Sequence, residues 1–296
     1  MSWISGKNVI ITGVSTGIGK DMAKLFVNKY GCRVLGVARS VGKLEALKQE
    51  LGDKFSFYPM DISKKENWEE FASTAAADFA PDIMINNAGM IHPFANICAL
   101  TDSEVEKTIN TNYISLVHAA RTMIPVLQKS ATPGYVNVSS ASALLPVAGE
   151  SIYSSTKAAA YALSEVIRQE YQGQGWYVGY VLPGPVKTDI YGNKEHGGAD
   201  QRAKVADNLI ANVGLSSEAA ARIIVRRISH KRHRIIVGGI ARLMGWFHAI
   251  TPGAGIGFCG KLMRIVPLNT FKGIFAGEKE ILAKRKAQRR ALKKSK

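Results

Sequence analysis

Asn8-Val9-Ile10-Ile11-Thr12-Gly13-Val14-Ser15-Thr16-Gly17-Ile18-Gly19 is the stretch that decides the fold. Five mostly β-branched residues read as a short buried strand, and glycines in the spacing G-x-x-x-G-x-G mark a turn. An amphipathic segment over 17–30 follows, so the whole is a strand–turn–helix unit. Glycine lets the backbone turn tightly and approach a pyrophosphate, and the helix start adds free N–H groups and the positive end of a dipole. The bare string is a weak signal; its place between the first strand and the first helix gives it weight.

Outward from this unit the alternation continues. Arg33-Val34-Leu35-Gly36-Val37 reads as a second strand, 41–51 as a helix, Phe55-Ser56-Phe57-Tyr58 as a third strand, and 65–79 as one helix. Ile83-Met84-Ile85 is the fourth strand. A loop at 90–101 leads to a long helix over 102–129, in which Pro125 is placed to cause a kink. Tyr135-Val136-Asn137-Val138 is the fifth strand, a helix carrying Tyr153 runs to about residue 172, and Tyr177-Val178-Gly179-Tyr180-Val181 is the sixth. Residues 187–213 are polar and glycine-containing, a candidate lid; a helix at 216–229 and the strand Ile235-Ile236-Val237 complete the core. This order predicts an α/β fold: a doubly wound parallel β-sheet of the Rossmann type, helices on both faces, with a C-terminal helical extension. The expected divisions are 1–240 as one catalytic and dinucleotide-binding domain, 241–277 as an apolar helical extension and 278–296 as a basic tail.

The 296 residues are 46% apolar, enough for a substantial core. Cys32, Cys98 and Cys259 show no paired or metal-like spacing, which favours a reducing compartment; no metal is expected. The N-terminus enters the first strand without a charged, apolar leader, so the mature chain is expected to begin at Met1. The formal charge of +16 is unevenly distributed. Residues 1–221 hold 20 Lys/Arg and 21 Asp/Glu, a net of −1, whereas 222–296 hold 19 Lys/Arg and only Glu278 and Glu280, a net of +17. Such concentration implies an anionic partner for the C-terminal part.

The chemistry sits in Tyr153-Ser154-Ser155-Thr156-Lys157, preceded by the pair Ser139-Ser140. On a helix, residues four apart share a face, so the Lys157 ammonium can lie beside the Tyr153 phenol. A nearby cation favours the phenolate and lowers the phenol pKa, allowing proton exchange with a substrate oxygen that a serine hydroxyl can hold. The spacing alone occurs by chance on many solvated helices; the glycine turn and the serine pair give it meaning.

Over residues 6–240 the chain resembles the short-chain dehydrogenase/reductase family. The resemblance rests on the glycine turn, Asn86-Asn87-Ala88-Gly89 after the fourth strand, Asn112 in the long helix, Ser140, Tyr153 with Lys157, and Pro183-Gly184-Pro185-Val186-Lys187-Thr188 after the sixth strand. It implies a catalytic set of Ser140, Tyr153, Lys157 and Asn112. Tyr153 would be the general acid/base, and Ser140 would hydrogen-bond the reacting oxygen while Ser139 points elsewhere. Lys157 would bind the nicotinamide ribose and lower the tyrosine pKa, and Asn112 would hold a water linking Lys157 to solvent. The implied cofactor contacts are Gly13, Ser15, Thr16, Gly17, Ile18 and Gly19 in the turn; Arg39, Asp61 and Ile62; Asn87, Ala88 and Gly89; Tyr153 and Lys157; and Pro183, Gly184, Val186 and Thr188. Asp61 would accept from the adenine amino group, or else cap the helix over 65–79, for which Ser63 is as good a cap. A solvent-facing Asn112 is the bland alternative, and its apolar neighbours Ile109, Ile114 and Leu116 oppose it.

At the end of the second strand a carboxylate would select NAD(H) through the ribose 2′-OH. Val37-Ala38-Arg39-Ser40 offers instead an arginine suited to a 2′-phosphate, so NADP(H) is expected over NAD(H). The alternative keeps Arg39 as a solvated or stacking residue with NAD(H) bound. The expected activity is interconversion of a hydrophobic ketone and its secondary alcohol, of 3-oxoacyl, sphingoid-base or steroid-like type. A non-catalytic dinucleotide-binding redox sensor or scaffold is the rival reading. The long helices resemble the family's dimer faces, implying a homodimer or homotetramer.

Beyond residue 240, Leu243 to Gly260 carries no Lys, Arg, Asp or Glu, and Pro252 with five glycines argues against a spanning helix. A membrane-surface segment with Trp246 and Phe247 at headgroup depth is expected, aided by the basic tail; a lid or an oligomer interface are the alternatives. Nucleic acid is not an expected partner, since no aromatic or groove-reading pattern accompanies the charge. The expected location is cytoplasmic, peripheral on the cytoplasmic face of a membrane.

Overall fold

The computed structural model of the chain describes residues 2–188, 190, 214–251 and 257. Its main sheet has seven strands, all parallel: β1 (Asn8–Thr12), β2 (Arg33–Ala38), β3 (Phe55–Pro59), β4 (Ile83–Asn86), β5 (Gly134–Val138), β6 (Tyr177–Pro183) and β9 (Arg234–Val237), in the spatial order β3-β2-β1-β4-β5-β6-β9. The order reverses between β1 and β4. At such a point the loops leaving the two strands diverge and open a crevice at their carboxyl ends.

The strands are continuous apolar runs because both faces are covered. In β1, Val9 and Ile11 enter one core layer with Met22 and Phe26 of α1 (Gly17–Tyr30) and Ile224 of α8 (Ser217–Ile228). Ile10, pointing the other way, joins Trp68 and Phe71 of α3 (Lys65–Ser73) and Met123 and Leu127 of α6 (Ser115–Leu127). Helix α2 (Val41–Leu51) lies between β2 and β3 in the chain.

Two helices differ from the sequence expectation. The helix over 65–79 breaks at Thr74 (φ −117°, ψ −100°), whose hydroxyl donates to the Glu70 carbonyl at 2.7 Å; α4 (Ala75–Phe79) restarts beyond it. The long helix over 102–129 is α5 (Asp102–Ile109), a π turn at Asn110–Ile114, and α6; Pro125 lies in the last turn of α6, so the irregularity comes earlier than the proline. A π turn carries one residue more than the α spacing allows and recurs at functional sites. Of the lid expected at 187–213, all but residues 187, 188 and 190 lies outside the described residues.

Helix α7 (Ser151–Glu170) is tied to the sheet by a buried polar chain. Asn86 Nδ2 donates to Asn137 Oδ1 (2.8 Å), Asn137 Nδ2 donates to Ser164 Oγ (3.0 Å), and Ser164 Oγ donates to the Ala160 carbonyl (2.7 Å). Losing one partner of a buried hydrogen bond strands the other. Ser164→Ala is therefore expected to cost about 1–3 kcal/mol of unfolding free energy, read from the urea midpoint, and a change within error would show that the chain does not fix α7.

Candidate active site

The crevice between β1 and β4 is built from the glycine turn. Gly13 has φ +74°, and a Cβ there would lie 2.8 Å from Ala88 Cα; a Cβ on Gly19 would collide with the Gly13 carbonyl oxygen and stand 2.5 Å from Asn87 Nδ2. Only glycine allows α1 to start this close to the strand. Thr16, which precedes α1, makes no side-chain cap bond, so the first N–H groups of the helix face the crevice uncapped by it. Ser15, Thr16 and Ile18 are half-buried around this turn, and Thr188 touches it from the far side: a Cβ on Gly17 would meet Thr188 Cγ2 at 3.0 Å. Thr188 is held there by the short parallel pair β7 (Val186–Lys187) and β8 (Leu215–Ser216).

Asn87 braces the two loops. Its backbone N–H and that of Ala88 both donate to Thr12 Oγ1 at 3.0 Å, and its side-chain amide donates to the Thr12 and Gly13 carbonyls at 3.0 and 3.3 Å. Gly89 then passes so near the next helices that a Cβ would stand 3.1 Å from Lys157 Nζ and 3.2 Å from Asn112 Oδ1. Asn112, in the π turn, is buried rather than solvent-facing: Oδ1 accepts from Met90 N (2.8 Å), and Nδ2 donates to the Met90 carbonyl (2.8 Å) and to Thr156 Oγ1 (3.2 Å).

Opposite, β5 ends at the serine pair. Ser139 Oγ donates to the Lys157 carbonyl (2.6 Å), pointing away from the crevice, while Ser140 Oγ accepts from Ser142 N (3.1 Å) and its hydroxyl reaches the Tyr153 phenol. Lys157, only 4% exposed, donates from Nζ to the Val138 carbonyl at 3.1 Å and lies 5.7 Å from the Tyr153 ring centre. Tyr153 itself is 9% exposed. Thus Ser140, Tyr153, Lys157 and Asn112, which lie on three different segments, converge on one side of Gly89.

A second hollow lies past β2. Arg39, Tyr58, Met60, Asp61, Asn67 and Glu70 line a hollow of about 390 Å³. Asp61 sits two residues beyond β3 and caps a local turn, its Oδ1 accepting from Ser63 N (3.0 Å) and Ser63 Oγ (2.8 Å) and not from the start of α3, whose N-terminal position is Lys64. The Asp61 and Ile62 carbonyls accept from Asn67 and Trp68 side chains, which locks this corner. Pro183 and Gly184 continue β6, with Gly184 N donating to the Val237 carbonyl at 3.0 Å and Val186 buried beyond. The glycine cradle, the uncapped helix start and the hollow beside Arg39 fit a dinucleotide laid across the sheet edge.

One neighbour was not anticipated from the sequence. Glu150, buried at the start of α7, accepts from Ser142 Oγ at 3.0 Å and lies close enough to Tyr153 to raise its pKa. A sequence signal for it existed: Glu150 is the only acidic residue between Glu106 and Glu165.

The profile of the short chain dehydrogenase family matches residues 7–199. The human very-long-chain 3-oxoacyl-CoA reductase is 30% identical over 193 residues, covering 62% of this chain and 61% of that protein, so the chain spans well under two thirds of that relative's length. A serine dehydrogenase solved in a closed form with NADP+ superposes with a TM-score of 0.70 at 25% identity, over 78% of this chain and 93% of the other. A short chain dehydrogenase/reductase from Burkholderia phymatum, in complex with NAD, shares the fold with a TM-score of 0.75 at 20% identity, over 84% and 95%. Since the family match takes in more than half of the chain, the protein belongs to the short chain dehydrogenase family.

Proposed function

We propose that the enzyme reduces a hydrophobic ketone to its secondary alcohol with NADPH, Tyr153 acting as proton donor. The observation that carries this reading is the burial of Ser140, Tyr153 and Lys157 side by side at the mouth of the β1/β4 crevice. When bound, the nicotinamide would supply the hydride. The chain's residues do the rest. Tyr153 delivers a proton to the carbonyl oxygen, and Ser140 donates a hydrogen bond to the same oxygen as negative charge grows on it.

The electrostatics differ from the sequence expectation that Lys157 lowers the phenol. Burial pushes Tyr153 up, the Glu150 carboxylate pushes it further, and only the Ser140 hydroxyl opposes them. Lys157 is itself pushed down to about 8 by burial, so it stays mostly charged at neutral pH and gives up its proton only above it. A phenol protonated at neutral pH has a proton to deliver, and its raised pKa makes it a weaker acid than a free tyrosine, so the Ser140 hydrogen bond to the substrate oxygen shares the developing charge. Lys157 remains placed to orient a ribose, and Asn112, fixed by Met90 and Thr156, to order the water behind it.

For the cofactor, Arg39 stands at the end of β2 with no carboxylate in that turn. Of the acids lining the same hollow, Asp61 is engaged by Ser63, and Glu70 accepts from Tyr58 Oη at 3.2 Å. An arginine in such a position favours a 2′-phosphate. The NADP+ of the serine dehydrogenase structure supports this; the NAD of the Burkholderia structure makes it a matter for measurement. For the substrate, the human 3-oxoacyl-CoA reductase supports a 3-oxoacyl type, and Leu144 and Leu145, buried beside Ser142, give the neighbourhood an apolar wall. Residues 1–240 would form the catalytic unit.

Tyr153→Phe should lower NADPH-dependent reduction of a 3-oxoacyl ester by about 10²–10⁴-fold while NADPH fluorescence on binding is kept; retained turnover would rule out the assigned donor. Arg39→Ala should raise KM for NADPH by about tenfold, with KM for NADH little altered; equal effects on both cofactors would remove the assigned selectivity. Glu150→Gln removes a charge that disfavours the phenolate, so the phenol pKa falls. The alkaline decline of ketone reduction and the rising limb of alcohol oxidation should both move to lower pH, and unmoved limbs would show that Glu150 does not act on Tyr153.

A further inference from the structure

Helix α9 (Gly239–Ile250) is built with its large apolar side chains facing outward. Ala241 is fully buried, 3.2 Å from the position a Cβ on Gly184 would take, and Gly245 is so close to the sheet edge that a Cβ would stand 3.3 Å from Ile236 and 3.7 Å from Leu144. These small residues make the inner face. Ile240, Leu243, Trp246, Phe247 and Ile250 fall within an arc of about 120° on the other side, at 3.6 residues per turn. Leu243, Trp246 and Ile250 are 55%, 56% and 58% exposed. An ordinary surface helix has the reverse arrangement.

The surroundings of this face carry one sign of charge. Arg242 is exposed on α9 itself, and Lys231, Arg232 and Arg234 are exposed in the turn before β9 and at its start; the Arg234 guanidinium reaches the inner side of the helix, 3.7 Å from where a Gly245 Cβ would be. No acidic residue occurs between Glu218 and Glu278. A second copy meeting the face about a twofold axis would set these cations against their own equivalents. The sequence that follows, 252–296, carries 12 Lys/Arg against two Glu, charge of the sign that an anionic surface attracts. Apolar and aromatic side chains ringed by arginine and lysine match the boundary of an anionic bilayer. The helix is 12 residues long, and none of the described helices is long and apolar enough to cross a membrane.

We infer that the outer face of α9 docks on anionic lipid, inserting Leu243, Trp246 and Ile250 at the headgroup boundary with the exposed Arg242 against lipid phosphates. The inner face of the same helix touches Leu144, in the turn after Ser140, so docking would set the catalytic crevice next to the lipid surface. This deepens the proposed hydrophobic substrate but does not rest on it.

The test uses the full chain with vesicles of phosphatidylcholine alone or with phosphatidylserine. Co-sedimentation is expected with phosphatidylserine vesicles, at least tenfold weaker with phosphatidylcholine alone, and reduced at least tenfold by the double substitution Leu243→Glu, Trp246→Glu, while NADPH oxidation with a small soluble ketone is unchanged. Equal sedimentation of wild type and double variant would overturn the inference, as would a variant that shifts the oligomeric state and leaves vesicle binding as it was. Should the variant misfold, brominated acyl chains decide: tryptophan emission of the wild type should be quenched, and that of Trp246→Phe much less. Absence of quenching in the wild type would also overturn it.

Discussion

Every distance within the candidate site depends on the register of α7 against β5. The helix and the strand are joined where water is excluded: Asn137 to Ser164 at one end, the Lys157 carbonyl to Ser139 in the middle, and Lys157 Nζ to the Val138 carbonyl beside it. Buried polar groups tolerate few arrangements, because each must find its partner. A slip of one residue along α7 would leave several unpaired and turn Tyr153 away from Ser140. Apolar packing alone would accept such a slip at modest cost. The polar contacts are what make the arrangement unique.

The same constraint explains why a lysine is kept in so dry a place. Burial disfavours its charge, yet it has a fixed acceptor in the Val138 carbonyl and a fixed neighbour in Gly89, whose missing side chain leaves the ammonium its room. Across the crevice, the glycine turn uses the same device with the opposite purpose. There the missing Cβ atoms let backbone approach backbone, so that α1 begins directly over the end of β1.

Much of this was legible in the sequence. Strands buried on both faces read as unbroken apolar runs, so the βα alternation was visible from Asn8 to Val237, and the i, i+4 spacing placed Tyr153 and Lys157 on one face before any contact was known. The break at Thr74 was hidden because its cause is a hydroxyl turned back on Glu70, which leaves the apolar pattern intact. The π turn around Asn112 was hidden for a different reason: the extra residue, worth about 100° of rotation, falls in the polar run Asn110-Thr111-Asn112, where there is no apolar period to break. Glu150 stood out in the sequence as a lone acid between Glu106 and Glu165, but its meaning lies in being near Tyr153 and Ser142 at once. Nearly all of the candidate lid and the whole of the basic tail lie outside the described residues.

The strand order has a further consequence, for the birth of the molecule. β1 is the first strand to leave the ribosome, and it ends in the middle of the sheet, with Val9 paired to Val34 on one side and to Ile83 on the other. Its second neighbour is not made until 74 residues later, and β5, which covers that neighbour, comes later still. Between the synthesis of β2 and of β4 the β4-facing edge of Val9-Ile10-Ile11 therefore has no strand of its own chain to pair with.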